Sequence, residues 1–361
     1  IPFLSGDPVE NNKFLSGHCV RRLSHDYNIP YLEFSRKITR DTEFEPFFAQ
    51  LIASKPQYSS WKMEIEGEFG GRGSALITVD VITAVQTLRN IPEEKDRLAK
   101  QADLVPLLKK FLPGYSIISC PRVFSTFQQF KSLLVAKGGY ITAVPKAKIK
   151  TIGVVCWISP QGGFRLITSY EYLQTDRFYR LGYLWPQREV STEEGSMLET
   201  LTRSIAQCLF TKKKVYGFVT LLFTAAAPPG ARKLRFCLDR IVPYFDEFMA
   251  AFEMITLMAQ PENLHIPSKS VVFIPRIQAL RFPAELNYLQ FFERCRERNV
   301  FFDLKARTGT MFTLCQPLAK GSLGLVVVDS GEREAVLKST SKALVGLSTL
   351  IDHESPDLSD D

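Results

Sequence analysis

A chain of 361 residues with 45% hydrophobic, 12% aromatic and 23% charged residues has the make-up of a well-packed globular protein, which excludes disordered, collagen-like and coiled-coil classes. Its 45 Lys and Arg against 38 Asp and Glu give a net charge of +7, suited to a polyanionic partner or a nucleotide without demanding either. At about 150 residues per domain the length predicts two or three lobes.

No stretch reaches the roughly 18 uninterrupted apolar residues of a membrane span; the run Val215–Ala227 is broken by Gly217, Thr220 and Thr224. Seven cysteines, scattered singly with no CxxC pair, read as reduced thiols of the cytosol, and Cys156 and Cys208 lie in apolar runs as inert core residues. With four histidines there are few centres for His-based catalysis, and the adjacent pair His18–Cys19 suits no tetrahedral zinc site. The start at Ile1, with no signal-like apolar stretch behind it, is read as that of a fragment or of the ordered part of a longer protein.

In chain order, Asn28-Ile-Pro-Tyr31 reads as the start of a strand, and Phe47, Phe48, Leu51 and Ile52 predict a helix over 44–53. Residues 61–79 read as strand, glycine-rich turn, strand. A helical stretch over 81–112 is expected to end at Pro113-Gly114. Strands follow at 140–144 and 149–158, then the turn Pro160–Gly163 and a strand at 164–170. The apolar stripe Met197, Leu198, Leu201, Ile205, Cys208 and Leu209 predicts a helix over 193–213, closed by Lys212–Lys214, where a solvated helix end welcomes cations. Two β-rich runs, 215–224 and 233–238, are expected as antiparallel central strands. A helix at 246–258 and another at 285–298 follow, then strands near 300–304, 310–314 and 323–328, and a last helix near 334–350. The final ten residues hold five acids and read as a frayed tail. The order is mixed, with antiparallel hairpins and flanking helices, so the fold class is α+β.

One loop carries a chemical signal. In Gly70-Gly-Arg-Gly73, glycines let backbone N–H groups approach a phosphate, and Lys62 on the entering strand supplies a positive charge. Taken alone, the pattern also fits a glycine-rich hairpin turn with an exposed lysine, and it is not a Walker A loop. Asp239-Arg240 reads either as a residual metal ligand beside a phosphate-binding arginine or as an ion pair at a strand end. Lys137-Gly-Gly139 reads mainly as a turn into a strand. Ile277-Gln-Ala-Leu-Arg281 begins like a calmodulin-binding IQ motif, but Phe282-Pro283 stands where its Arg-Gly pair belongs, so it is read as coincidence.

The ordered series of segments resembles the ATP-grasp-like C-terminal half of the IQ-motif-containing protein H family of ciliated and flagellated eukaryotes. The resemblance runs from about Lys62 to the end. It is carried by Lys62-Met-Glu-Ile-Glu-Gly-Glu-Phe-Gly-Gly-Arg-Gly-Ser-Ala75, by Gly139-Tyr-Ile-Thr-Ala-Val-Pro145, by Ser159-Pro-Gln-Gly162 and by Gly182-Tyr-Leu-Trp-Pro-Gln187, with the closing helix–strand unit Phe291–Phe312. The family implies a fold in which two sheets clamp a nucleotide, and Mg²⁺ held by acids on the last central strands.

Three departures matter. Thr142 and Leu222 stand where the family pattern has carboxylates, and Ile241 stands where it has an asparagine. Asp239 matches the one remaining acid, and one acid does not make a phosphoryl-transfer centre. The resemblance therefore implies an ATP-grasp-like two-lobe body with a C-terminal α/β unit. Its parts are an N-terminal segment at 1–56, a first lobe at 57–150, a second lobe at 151–265, the α/β unit at 266–350 and the acidic tail at 351–361. It implies no catalytic residue; a nucleotide grip at Lys62, Gly70, Gly71, Arg72 and Gly73; Asp239 as metal ligand; and ATP with Mg²⁺ only if nucleotide binding survives. The expected setting is the axoneme of a motile cilium or flagellum, within the cytoplasm. The expected partners are other axonemal proteins, with calmodulin bound through a region N-terminal to this chain, and neither membrane nor nucleic acid. The competing expectation is an ATP-dependent carboxylate–amine ligase or a nucleotide-binding regulatory module.

Overall fold

The computed structural model describes residues 44–65, 72–144, 149–175, 179–187, 192–226, 234–242, 247–259, 269–277, 287–313, 323–330 and 332–350. The strand start at Asn28–Tyr31, the glycines Gly70 and Gly71 and the acidic tail lie outside them. The chain divides into two compact units. The first holds Ile1–Thr168, Gln174–Leu181 and Val190–Tyr244; the second holds Ser169–Leu173, Gly182–Glu189 and Phe245–Asp361.

The first unit opens with α1 (Phe44–Ser54), followed by β1 (Ser60–Ile65) and β2 (Ser74–Thr78). The stretch expected as one helix is three: α2 (Thr83–Arg89), α3 (Glu94–Ala99) and α4 (Gln101–Tyr115). Pro113 and Gly114 lie inside α4 and do not end it, because Leu104, Leu108 and Leu112 bury one face of that helix and tertiary packing overrides local propensity. After β3 (Ser116–Ile118) comes α5 (Phe127–Lys137), which the sequence reading did not resolve, capped where the Thr126 side chain accepts from the Gln129 N–H. β4 (Gly139–Val144) completes an antiparallel sheet of order β3-β2-β1-β4. Trp61, Met63 and Ile65, alternating along β1, turn into the same core as Phe44, Phe48 and Phe130. Within that packing Lys131 of α5 reaches Glu45 of α1 at 2.6 Å, both buried, with the ammonium 5.3 Å from the Phe44 ring centre.

Six further elements among the described residues lie wholly or partly in this unit: β5 (Ile149–Ile158), β6 (Phe164–Gln174), β7 (Arg180–Trp185) through Arg180 and Leu181, α6 (Thr192–Lys213), β8 (Gly217–Ala226) and β9 (Arg235–Val242). β8 sits between β5 and β9 and is antiparallel to both, as expected, whereas β9, expected as a second central strand, ends the sheet order among the described residues and is an edge strand. One face of these strands, with Ile152, Val154, Val219, Leu221, Phe223, Phe236, Leu238 and Ile241, packs under the stripe Leu198, Ile205 and Leu209 of α6.

The second unit holds β7 (Arg180–Trp185) from Gly182 on, α7 (Glu247–Ala259), β10 (Ser270–Ile277), α8 (Tyr288–Glu297), β11 (Phe302–Asp303), β12 (Thr308–Thr313), β13 (Leu323–Asp329) and α9 (Arg333–Ser348). Its strands run in the order β11-β12-β13-β10-β7. The core against α8 and α9 includes Leu184, Val272, Leu325, Phe291 and Leu347. Tyr183 and Phe273, which alternate with Leu184 and Val272, meet the other aromatic group, in which Tyr170 and Phe248 lie 4.2 Å apart by ring centres. β10 was not foreseen: Pro275 interrupts its pattern, and a register shift between Ile274 and Ile277 accommodates it beside β13.

Candidate functional site

Period-two alternation along β1 sends Lys62 and Glu64 to the face opposite the apolar core. Register then places their neighbours on that face: Leu76 and Thr142 flank Lys62, while Ser74 stands across from Glu64. Lys62 Nζ lies 2.8 Å from Glu64 Oε2, and Arg240 Nη2 donates to Glu64 Oε1 at 3.0 Å. All three side chains are largely shielded from solvent. Burial by itself would push the Glu64 carboxyl up; Lys62, Arg240 and Arg180, with the hydrogen bond from Lys62, outweigh it and hold the carboxyl well below the usual carboxylate range.

Arg240 reaches this point because β9 carries a bulge. Arg240 faces Leu222 and Leu238 faces Phe223, leaving Asp239 as the extra residue. Leu238 and Ile241 thereby both enter the core beneath α6, and Arg240 turns to the opposite face. Asp239 is half-buried, Leu222 is 1% exposed, and Thr142 is buried, its hydroxyl directed to the Lys62 carbonyl at 3.4 Å. Arg72 stands half-buried at the start of the turn into β2, and the Gly73 carbonyl accepts from the Ile65 N–H at 2.9 Å. Of the residues singled out as a nucleotide grip, Lys62 is therefore located together with Glu64 and Arg240, and Arg72 and Gly73 are located in the adjoining hairpin. Gly70 and Gly71 are outside the described residues.

Among the described residues, one polar atom on this face has no hydrogen-bond partner. Ser74, directly across from Glu64, is fully buried, and its hydroxyl makes no hydrogen bond. Such orphaned groups are rare, because each forfeits its hydration for nothing.

Sequence reasoning missed Glu64, Ser74 and Arg180. The available signal for Glu64 was its spacing of two from Lys62 on one strand, which forces a shared face. Nothing in the sequence ties it to Arg240, which lies 176 residues away.

The residues do not fit a divalent cation. Both Glu64 oxygens are engaged by cationic side chains, and among the described residues no three His, Cys, Asp or Glu side chains group to hold a metal. Mg²⁺ asks for several hard oxygen ligands. A phosphate group suits Lys62, Arg240 and the Ser74 hydroxyl chemically, at the position that the Glu64 carboxylate occupies.

The family model described as IQCH-like, ATP-grasp matches residues 15–264. The chain belongs to this family. IQ motif-containing protein H of Danio rerio is 22% identical over 361 residues, covering 93% of this chain and 34% of the relative, so the chain spans about a third of the relative's length. Among solved structures, the ADP complex of an N5-carboxyaminoimidazole ribonucleotide synthetase is similar at a TM-score of 0.55 and 11% identity, over 94% of this chain and 73% of that one. N5-carboxyaminoimidazole synthase of Aspergillus clavatus, in complex with ADP and 5-aminoimidazole ribonucleotide, follows at 0.51 and 11%, over 93% and 74%. At such identities the likeness is one of fold, and the fold is ATP-grasp. Among the described residues no helix is long and apolar enough to cross a membrane.

Proposed function

We propose that this ATP-grasp module is non-catalytic and serves as a structural and interaction element of the motile cilium or flagellum, engaging other axonemal proteins. Calmodulin binding belongs, in this reading, to a region N-terminal to the chain, because Ile277-Gln-Ala-Leu-Arg281 lacks the Arg-Gly pair of an IQ motif whereas the zebrafish relative is named for containing one. The observation that carries the loss of catalysis is the ion pair of Lys62 with Glu64. A lysine whose charge is already balanced by a buried carboxylate exerts little pull on a phosphate chain. Leu222, buried where the family pattern has an acid, points the same way, since leucine offers no oxygen to a metal.

A second reading, a nucleotide-binding regulatory module or a carboxylate–amine ligase, draws on the unpartnered Ser74 hydroxyl and on the ADP complexes of the fold's relatives. Calorimetric titration of the chain with ATP and ADP, with and without Mg²⁺, separates the two. No heat at millimolar nucleotide supports the non-catalytic reading. Binding strengthened by Mg²⁺ and abolished by Lys62→Ala overturns it. For the setting, an epitope-tagged chain is expected along the axoneme of ciliated cells, and exclusion from the axoneme contradicts the structural role.

A further inference from the structure

We propose that the Glu64 carboxylate is a built-in stand-in for a phosphate group, so that Lys62, Arg240 and Ser74 form a metal-independent seat for a phosphate-bearing anion which the chain itself keeps filled. The proposal rests on the non-catalytic reading above and explains what fills the site in place of a ligand.

Glu64 presents two oxygens, each accepting from a different cationic side chain: Oε2 from Lys62 on its own strand and Oε1 from Arg240 on β9. Two oxygens of a phosphate group present the same pair of acceptors, and ammonium and guanidinium groups bind carboxylates and phosphates by the same charge-assisted hydrogen bonds. A phosphate has a further oxygen that a carboxylate lacks. Ser74 stands directly across from Glu64 on the neighbouring strand, and its buried hydroxyl has no acceptor. The pair Ile65–Gly73 next to it carries the backbone hydrogen bond, so Glu64 and Ser74 form the closer, non-hydrogen-bonded kind of pair. A seat with two donors satisfied and a third idle is what an acceptor one oxygen short leaves behind.

Removing the carboxylate takes away the counter-charge that Lys62 and Arg240 share at this point, and an external anion that replaces it binds the folded state selectively. A divalent metal has no part in this, because the seat neutralises phosphate with side-chain cations.

The test compares the full chain with Glu64→Gln, titrated with inorganic pyrophosphate in the presence of a chelator. Glu199→Gln serves as the control, since it removes an exposed carboxylate from α6. Glu64→Gln is expected to bind pyrophosphate at least about tenfold more tightly than the unaltered chain, as release of a charge-assisted competitor implies. Glu199→Gln is expected to leave binding unchanged. Adding Ser74→Ala to Glu64→Gln is expected to give back a large part of the gain. A folded Glu64→Gln that binds no more tightly than the unaltered chain overturns the proposal, and so does an equal gain in Glu199→Gln. Should Glu64→Gln fail to fold, Glu64→Asp keeps the charge but draws it back from the cations. Pyrophosphate should then raise the unfolding temperature of Glu64→Asp more than that of the unaltered chain, and equal shifts overturn the idea. Binding of Mg²⁺–ATP by the unaltered chain bears on the non-catalytic reading, whereas chelated pyrophosphate on the variants bears on Glu64 alone.

Discussion

Arg240, beyond the bulge of β9, donates to Glu64, in the middle of β1, and this one hydrogen bond of 3.0 Å ties the two sheets of the first unit together. Cutting such a link on one side leaves a buried charge without its full complement. Arg240→Ala is expected to cost about 3 kcal/mol, at the low end for a broken buried pair because Lys62 stays on the carboxylate. Urea unfolding measures it; a loss below about 1 kcal/mol would mean that Lys62 alone satisfies Glu64.

The same carboxylate sets an acid limit. Its value in the folded chain lies well below that of an unfolded glutamate, at about 4.3. The unfolded state therefore takes up the proton first as the pH falls, and the stabilisation, fully present above that range, drains away below it. Thermal unfolding followed from pH 5 to pH 3 should fall more steeply in the unaltered chain than in Glu64→Gln. Parallel slopes would show that Glu64 titrates normally.

Glycines sort by what stands beside them. A Cβ on Gly139 would lie 2.3 Å from the Glu64 carbonyl oxygen, and one on Gly182 would lie 2.3 Å from the Phe273 carbonyl oxygen, both backbone atoms of a neighbouring strand. Neither can step aside without breaking its ladder, so Gly139→Ala and Gly182→Ala should each cost at least about 2 kcal/mol. Gly195, exposed in the first turns of α6, has nothing within 4 Å, and Gly195→Ala should stabilise by about 0.5–1 kcal/mol. Denaturant midpoints of the three variants should fall on opposite sides of the parent.

Burial pushes the thiols of Cys156 and Cys295 up to about 12. Since the thiolate is the reactive form, a disulfide reagent at pH 8 should leave both untouched in the folded chain while the half-buried Cys120 reacts. Peptide mapping after brief labelling tests this, and rapid modification of Cys156 would mean that the sheet beneath α6 opens readily. Towards higher pH, unfolded thiols ionise first, so both cysteines lower stability as the pH climbs from the ordinary thiol range towards 12.

Much of this architecture could be read from residue order, because its elements announce themselves by period. The stripe Leu198, Leu201, Ile205 and Leu209 repeats at helical spacing, and the run of β8 is long and apolar. What escaped was governed by distant partners. α4 runs through Pro113 because three leucines are buried on its inner side, and β10 holds Pro275 because a bulge beside β13 admits it. The site divides in the same way. Lys62 is visible beside its glycine turn, whereas Glu64 shows only its spacing of two from Lys62, which does not tell a buried strand face from a solvated one. Its burial depends on Arg240 arriving from a strand that the sequence places far away.

The bulge at Asp239 has a consequence for how such a chain drifts. Take that residue away and Leu238 still faces Phe223, Arg240 still faces Leu222, and Ile241 still faces Leu221. An in-frame loss of three nucleotides at that codon would straighten the strand and remove its carboxylate without moving any other side chain to the wrong face. Asp239 is the one position of β9 at which deletion keeps every remaining pair in step.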